Sequence, residues 1–345
     1  LKKNKMRQVN WGIIGLGKIA TKFAESFKNT KNSKLKAVAS KDISKIEKFQ
    51  STFDLNKEFC FSNYESILNC KDIDIIYIAL PHSLHAEWTI KCIENNKNIL
   101  VEKPATIKFS EMQIIEKKLN QKNIFFGEAF MYRYHPQIIK FINLIQEGAI
   151  GKLISMESYF GNDILNKKIF GIKFKKRIRK NSRLYNKDLG GGAILDLGCY
   201  PVSISILIAS LVSNLDLSKT KVLNKKVEIG STGVDIEAYA ELYFENGFKS
   251  IINTSFKKNL GKSTKIIGTD GELVLNDGWH GTPSLINISG KTNKSIQLDC
   301  KENVYTYQLE AVSRSIIENK KHPIFPGVTS SETLENMRIL DDWLN

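Results

Sequence analysis

The segment from Val9 to Ala20 constrains the chain more than any other. Val9–Ile14 reads as a strand, Gly15-Leu16-Gly17-Lys18-Ile19-Ala20 follows at once, and Ile19–Phe27 has the apolar spacing of a helix. Paired glycines between a strand and a helix make the turn that cradles a dinucleotide pyrophosphate. Gly15 permits the tight bend, Gly17 lets main-chain amides approach the phosphates, and the small Ala20 lets the helix lie close on the strand. The first helical amides, near Lys18 and Ile19, then face the anion. This pattern alone is weak evidence; its place at the head of further strand–helix units gives it weight. Strands at Leu35–Ala39, Ile73–Ala79, Asn98–Val101 and Ile124–Glu128 alternate with helices at Ile43–Phe53, Glu87–Glu94 and Glu111–Asn120. Such alternation means α/β architecture, a doubly wound parallel sheet over residues 1–128. Ile73–Ala79 is continuously apolar, as a strand covered on both faces must be.

The pattern changes after residue 128. A helix over Gln137–Gln146 stops at Gly148, and Lys152–Phe160 reads as a strand. Three glycines, Gly190, Gly191 and Gly192, precede an apolar helix over Ile194–Leu211. Alternating strands then follow at Ile236–Phe244, Phe248–Ser255, Lys265–Ile267 and Glu272–Leu275, with hairpin dipeptides Asn246-Gly247 and Asp270-Gly271 between them. Residues 129–329 are therefore expected to form an α+β substrate and oligomerisation domain with a large, mostly antiparallel open sheet. Helices at Tyr307–Asn319 and Ser331–Leu344 end the chain, and the last, within 330–345, is expected to pack back on the first domain.

Bulk properties exclude several classes. With 345 residues, 42% hydrophobic and 25% charged, the chain suits two folded domains and not a disordered segment. Leu1–Asn10 is basic and polar with no apolar stretch before the first strand, so no secretory signal is expected, and no unbroken apolar run has the length of a membrane span. Five cysteines without a CxxC pair fit a reducing, cytoplasmic setting better than a disulfide or zinc framework. The net charge of +15 comes from lysines spread along the chain, which argues against a nucleic-acid partner. One denser cluster, Lys167, Lys168, Lys173, Lys175, Lys176, Arg177, Arg179, Lys180 and Arg183, reads as a solvated loop facing an anionic group of a substrate.

Cofactor choice is written at the end of the second strand. An acid there binds the 2′-hydroxyl of NAD, and a cation accommodates the 2′-phosphate of NADP. The sequence offers Ser40 and Lys41 before Asp42, which favours NADP(H) over NAD(H), and a shift of one residue would reverse that choice. Lys103, in Val101-Glu102-Lys103-Pro104, falls at the carboxyl edge of the sheet, where ligands bind; it either serves the site or pairs with Glu102. Asp196 and Tyr200 stand four apart on the apolar helix, on one face, with Gly198 between them leaving room for a ring to approach. They are either functional or the polar stripe and cap of that helix.

Taken in order, GIIGLGKIA at 12–20, EKP at 102–104, EAFMYRYHPQ at 128–137, GAIGKL at 148–153, GGGAILDLGCYP at 190–201 and MRILDDW at 337–343 carry a resemblance. The chain resembles the glucose–fructose oxidoreductase / inositol dehydrogenase (Gfo/Idh/MocA) family over nearly its whole length. It looks most like the branch with dimeric dihydrodiol dehydrogenase, NADP-linked D-xylose 1-dehydrogenase and glucose–fructose oxidoreductase, which has tyrosine where Tyr200 stands. The inositol dehydrogenase-like members have histidine there. The resemblance implies Lys103 beside the nicotinamide, Tyr200 as acid/base, Asp196 orienting substrate or balancing Lys103, and a cis bond before Pro104. It also implies a cofactor-contacting turn at Leu80, Pro81, His82 and His85, with Glu102 and Arg133 near the cofactor; for Arg133 an ordinary salt bridge is the other reading. Tyr159 and Arg183 are weaker candidates for the substrate wall. His82 and His85 lack a third ligand, so no metal is expected.

The chemistry agrees with these roles. Oxidising an alcohol removes a hydride from carbon and a proton from oxygen, and an ammonium beside a phenol brings its pKa down from about 10 towards neutrality. Lys103 and Tyr200 can then titrate as a unit. The chain is expected to be an NAD(P)-dependent oxidoreductase of a sugar, polyol or cyclic diol. A homodimer or homotetramer through the C-terminal sheet is expected as well. An NAD-dependent glycosidase of the same fold and a non-catalytic nucleotide sensor are the alternatives.

Overall fold

The computed structural model describes residues 7–169, 172–176, 182–213, 215–291 and 293–345. They divide into two compact units. The first takes the chain through Thr106, with Ser110–Tyr134 and Lys301–Thr333; the second takes Ile107–Phe109, His135–Cys300 and Leu334–Asn345.

In the first unit, strand β1 (Val9–Ile14) leads through the glycine turn into α1 (Lys18–Glu25), then β2 (Ser33–Ala39) and α2 (Ile43–Phe53). Next come β3 (Cys60–Phe61), α3 (Tyr64–Asn69), β4 (Ile75–Ile78), α4 (His85–Glu94), β5 (Asn98–Val101), α5 (Phe109–Leu119) and β6 (Phe126–Glu128). The strands lie side by side in the order β3-β2-β1-β4-β5-β6, all parallel. This is the doubly wound order, and its direction reverses between β1 and β4. All four residues of β4 are buried, as its unbroken apolar run requires. Asp42 and Asn63 start α2 and α3 by accepting the amides of Lys45 and Ser66.

One late element completes this unit. Helix α8 (Val304–Ile317) covers β1: the Trp11 indole donates to Ser313 Oγ at 2.9 Å, and Ser33 Oγ stands 2.8 Å from the same hydroxyl. Trp11, Phe23 and Phe27 pack edge to face, and Phe23 stacks on Tyr77 at 3.9 Å. Each such buried ring contributes about 2–3 kcal/mol. The expected boundary at 129–329 therefore differs from the structure, because residues 301–333 carry the apolar face that closes the nucleotide-binding unit.

The second unit begins with α6 (Pro136–Gln146) and β7 (Leu153–Gly161), followed by a small hairpin of β8 (Asn166–Ile169) and β9 (Ile172–Lys175). After a π-helical turn over Ile194–Gly198 comes α7 (Cys199–Val212), then β10 (Lys221–Ile229), β11 (Asp235–Tyr243), β12 (Lys249–Ser255) and β13 (Thr264–Gly268). Strands β14 (Gly271–Leu275), β15 (Leu285–Gly290) and β16 (Lys294–Gln297) precede α8 (Val304–Ile317) and α9 (Ser330–Leu344). Among the described residues, eight strands run β10-β11-β12-β7-β13-β14-β15-β16, antiparallel except for β12 beside β7. Helix α7 packs on one face, where Ser205 Oγ and Ser250 Oγ meet at 2.6 Å. The longer stretch Lys187–Val212, which ends with α7, is apolar enough to cross a membrane by length and composition, but most of it is buried inside the folded protein. The last helix is shared: its first turn groups with the first unit and Leu334–Asn345 with the second, where Trp343 is fully buried. The expectation that it returns to the first domain holds for that turn only.

Candidate active site

Gly15 adopts φ +89°, and a Cβ there would stand 2.7 Å from the Ala79 carbonyl at the end of β4. Its amide donates to the Ala39 oxygen at 3.0 Å, so the turn is tied to the strands on both sides. Gly17 caps α1 with no side-chain acceptor, and a Cβ on it would meet nothing within 4 Å. Ala20 is buried against the sheet, while Lys18 is exposed and Ile19 half-buried. An open space over bare glycine, in front of unsatisfied helix amides, fits a pyrophosphate. At the adenosine end, Asp42 is already engaged. It accepts the Ser44 hydroxyl at 2.6 Å and the Lys45 amide at 3.3 Å, and Lys45 Nζ stands 3.3 Å away. These hydrogen bonds, with that ammonium, hold its carboxyl below the usual range. Ser40 is buried and accepts the Asp42 amide at 3.1 Å, whereas Lys41 is exposed with its ammonium 5.8 Å from the Tyr64 ring.

The next two loops lie at the same carboxyl edge. After β4, Leu80 and His82 are buried and Pro81 is exposed. His85 is fully buried, and its ring nitrogens stand 2.8 Å from the carbonyl oxygens of Leu80 and Pro104. A neutral ring donates to one of them, an imidazolium to both. Assigned above to the cofactor turn, His85 thus ties the loop after β4 to the loop after β5. The Lys103–Pro104 bond is cis. Glu102 accepts the Tyr77 phenol, so the partner suggested for Lys103 has a partner of its own in the sheet. Arg133 is buried, 3.6 Å from Glu332, and donates to the Pro326 carbonyl at 3.0 Å and to Tyr132 Oη at 3.1 Å. This is the salt-bridge reading of that residue.

Beneath the Lys103 turn lies a group that the sequence did not single out. Glu128, fully buried at the end of β6, accepts the Ala105 amide at 3.0 Å. Burial pushes its carboxyl up to about 8, against the opposing pull of that amide, Thr333 and Arg133. The folded chain holds this proton where the unfolded chain, near the ordinary 4.5, has lost it. Stability accordingly falls as pH rises from about 4.5 to about 8, by at most about 1.4 kcal/mol per pH unit from this group. Glu128→Gln removes the ionisation, so the melting temperature of the variant relative to the wild type should climb across pH 5–8. A difference that stays flat across that range would refute the assignment.

In the second unit Tyr200 is buried among aromatic rings: Phe160 at 5.2 Å, edge on, and Trp279 at 5.4 Å. The His280 ring stands 6.3 Å from Phe160. Asp277 sets this loop by accepting the amides of Trp279 and His280 at 3.1 and 2.9 Å. Burial would raise its carboxyl, but His280 and Lys262 outweigh it and hold the value near about 2. Asp196 pairs with Arg183, Nη1 to Oδ1 3.0 Å, the guanidinium being 44% exposed. Tyr159 lies on the face of β7 opposite to Phe160. Along β7, Met156, Ser158 and Phe160 are buried, while Glu157 and Tyr159 point to the open face, where Tyr159 donates to Glu157 at 2.7 Å. The space over Gly198 is also taken: a Cβ there would come within 2.8 Å of the Trp343 ring. The ring that approaches this glycine belongs to the protein.

The glycine triplet serves a cap brought from another strand. Gly192 adopts φ +119°, and its missing Cβ leaves room for the Asp235 carboxyl, which accepts the Ile194 amide at 2.6 Å. Burial pushes Asp235 up to about 6, opposed by the amides of Ile194, Asp235 and Ala193. The turn it caps is π-helical, so Asp196 and Tyr200 straddle a change of winding instead of sharing the regular helix expected.

Two family models cover most of the chain. The oxidoreductase family with an NAD-binding Rossmann fold matches residues 9–130, and the GFO/IDH/MocA C-terminal domain matches residues 138–274. The chain belongs to the GFO/IDH/MocA family. This GFO/IDH/MocA protein is an oxidoreductase with an NAD-binding Rossmann fold. It is 27% identical to trans-1,2-dihydrobenzene-1,2-diol dehydrogenase of Xenopus tropicalis, over 97% of this chain and 96% of that one. It is 23% identical to D-xylose 1-dehydrogenase (NADP(+)) 2 of Haloferax volcanii, over 96% and 95%. Its fold matches aldose-aldose oxidoreductase from Caulobacter crescentus complexed with glycerol, with a TM-score of 0.83 at 18% identity, covering 98% of this chain and 96% of that one.

Within this GFO/IDH/MocA enzyme, the first unit gathers Gly15, Gly17, Ser40, Lys41, His85, Glu102 and Lys103 at one edge of the parallel sheet. The second unit gathers Asp196 with Arg183 and Tyr200 with Phe160 and Trp279. Arg177, Arg179 and Lys180, and the side chains of Lys167, Lys168 and Lys173, lie outside the described residues. Among the described residues no three His, Cys, Asp or Glu side chains group as metal ligands. Sequence reasoning missed Glu128, Phe160, Asp235, Trp279 and His280. For Phe160 the strand parity, counted from Met156, was the available signal.

Proposed function

We propose that the enzyme is an NADP(H)-linked oxidoreductase of a sugar, polyol or cyclic diol, with Lys103 and Tyr200 as the proton-handling pair. One observation carries the reading: in a single unit, Lys103 follows β5 at the carboxyl edge, two strands from the open space over Gly17. The nicotinamide, when bound, accepts or supplies the hydride at the reacting carbon. Gly15, Gly17 and the first amides of α1 hold the pyrophosphate, and Ser40 and Lys41 hold the 2′-phosphate. In the oxidising direction Tyr200 takes the hydroxyl proton, while the Lys103 ammonium stabilises the phenolate and hydrogen-bonds the same oxygen. Arg183, paired with Asp196 yet partly exposed, offers donors to substrate hydroxyls, and Phe160 and Trp279 keep the phenol out of bulk water. The named substrates of the relatives, a dihydrodiol and D-xylose, support the substrate class. Cytoplasmic residence and a homo-oligomer formed through the open face of the large sheet belong to the same proposal, the first supported by five cysteines outside any disulfide among the described residues.

The cofactor choice is measurable directly. Asp42 is spent on capping α2, so fluorescence titration should find NADPH bound at least tenfold more tightly than NADH. Lys41→Ala should weaken NADPH by about 10–100-fold, the cost of one charge-assisted hydrogen bond, and leave NADH nearly unchanged. Tighter NADH binding in the wild type would overturn the choice. Cleavage of a nitrophenyl glycoside without added nucleotide would replace the dehydrogenase reading with the glycosidase one.

A further inference from the structure

Lys103 lies in a loop, yet its amine has to be placed to within a fraction of an ångström if it is to serve one hydroxyl. What holds that loop is therefore a question about the reaction. On its near side the Glu102 amide donates to the Ile78 carbonyl at 3.0 Å, and the Tyr77 phenol holds the Glu102 side chain. Beyond the lysine, Pro104 has no amide to give, so the next main-chain donor is Ala105 N–H. Its acceptor is Glu128 Oε1, at 3.0 Å. Glu128 ends β6 and stands opposite Val101, the last residue of β5, so its side chain reaches past the strand end to the loop. Both Ala105 and Glu128 are fully buried, and Oε2 of Glu128 has no hydrogen-bond partner. A carboxyl left half satisfied in a core is costly, and an apolar residue would fill the space more cheaply. Its use is the one bond it makes. Arg133 adds an electrostatic pull on the carboxyl, but the bond directed at the loop is the one to Ala105.

We propose that Glu128 is a positioning residue for Lys103, fixing the Lys103–Pro104 turn through the Ala105 amide. The proposal rests on the role given to Lys103 above. Because burial keeps its carboxyl protonated at neutral pH, the glutamine amide is a close replacement: its carbonyl accepts the same N–H and no charge is lost. Methionine fills similar volume but accepts poorly. Three variants, Glu128→Gln, Glu128→Met and Lys103→Met, with the Glu128→Met/Lys103→Met double variant, separate the possibilities.

The first readout needs no turnover. Hydrogen exchange over residues 102–106 should quicken at least tenfold in Glu128→Met and stay at the wild-type rate in Glu128→Gln, with NADPH affinity by fluorescence within about twofold in both. The second is turnover with NADP+ and whichever of D-xylose, D-glucose and trans-1,2-dihydrobenzene-1,2-diol the wild type oxidises fastest. Glu128→Met should lower kcat by about 10–100-fold with KM little changed, and Glu128→Gln should restore it to within about threefold. In the Lys103→Met background, Glu128→Met should cost nothing further, because a residue acting through Lys103 has nothing left to act on. Unchanged exchange over 102–106 in Glu128→Met overturns the proposal, as does an additive loss in the double variant. If Lys103→Met loses turnover and Glu128→Met does not, Glu128 alone is misassigned. Wild-type turnover in Lys103→Met removes the role of Lys103 and this proposal with it.

Discussion

Lys103→Met and Tyr200→Phe are each expected to lower turnover by about 10²–10⁴-fold while NADPH still binds. The two substitutions remove the groups proposed to handle the proton and little else. Lys103 sits on a turn whose main chain is held by Ile78, His85 and Glu128, so methionine can take its place without releasing the loop. Tyr200 is packed by Phe160 and Trp279 through its ring, which phenylalanine retains. Steady-state rates followed by nicotinamide absorbance, set beside NADPH fluorescence titrations, separate lost chemistry from lost binding. The pH profile of kcat should also lose an inflection in each variant, since the pair sets it jointly. Near-wild-type turnover in both would leave the proposed reaction without its acid and base.

Gly192→Ala is expected to destabilise the second unit by about 1.5–5 kcal/mol, enough to deplete soluble protein. Two costs combine. A non-glycine residue at φ +119° is strained by about 1–3 kcal/mol, and the new methyl would overlap Asp235 Oδ1. Displacing that carboxyl frees the Ile194 amide and uncaps the turn ahead of α7, which costs about 0.5–2 kcal/mol more. Urea unfolding followed by tryptophan fluorescence measures the loss directly, with Trp279 reporting from beside Tyr200. A midpoint within experimental error of the wild type would mean that the triplet has some other purpose than to admit Asp235.

The parallel sheet was legible because its signals are local. Val9–Ile14, Ile43–Phe53 and Asn98–Val101 coincide with observed elements residue for residue, each set by apolar periodicity or a cap within a few positions. Weaker elements escaped for equally physical reasons. Strand β10, KVLNKKVEI, is mostly exposed at the sheet edge and carries lysines where alternation would otherwise show. Strand β3 is two residues long. Helix α8 was visible as a helix but was assigned to the wrong unit, since nothing near residue 313 announces a hydrogen bond to Trp11. The site divides in the same way. Motif positions such as Gly15, Lys103 and Tyr200 could be picked out, and the Asp42 carboxyl sits within its own helix start. Asp235 over Gly192, Trp343 over Gly198 and Glu128 under Ala105 are long-range pairings between residues ordinary in isolation. Tyr159 shows how much hangs on parity, because one step along β7 moves a side chain to the other face of the sheet.

The indole of Trp343 against Gly198 makes the segment bearing the phenol dependent on a side chain far later in the sequence. During synthesis, the motif at 190–201 emerges long before the side chain that seals it. A nascent chain thus carries Lys103, Asp196 and Tyr200 before the indole that covers that helix has been made.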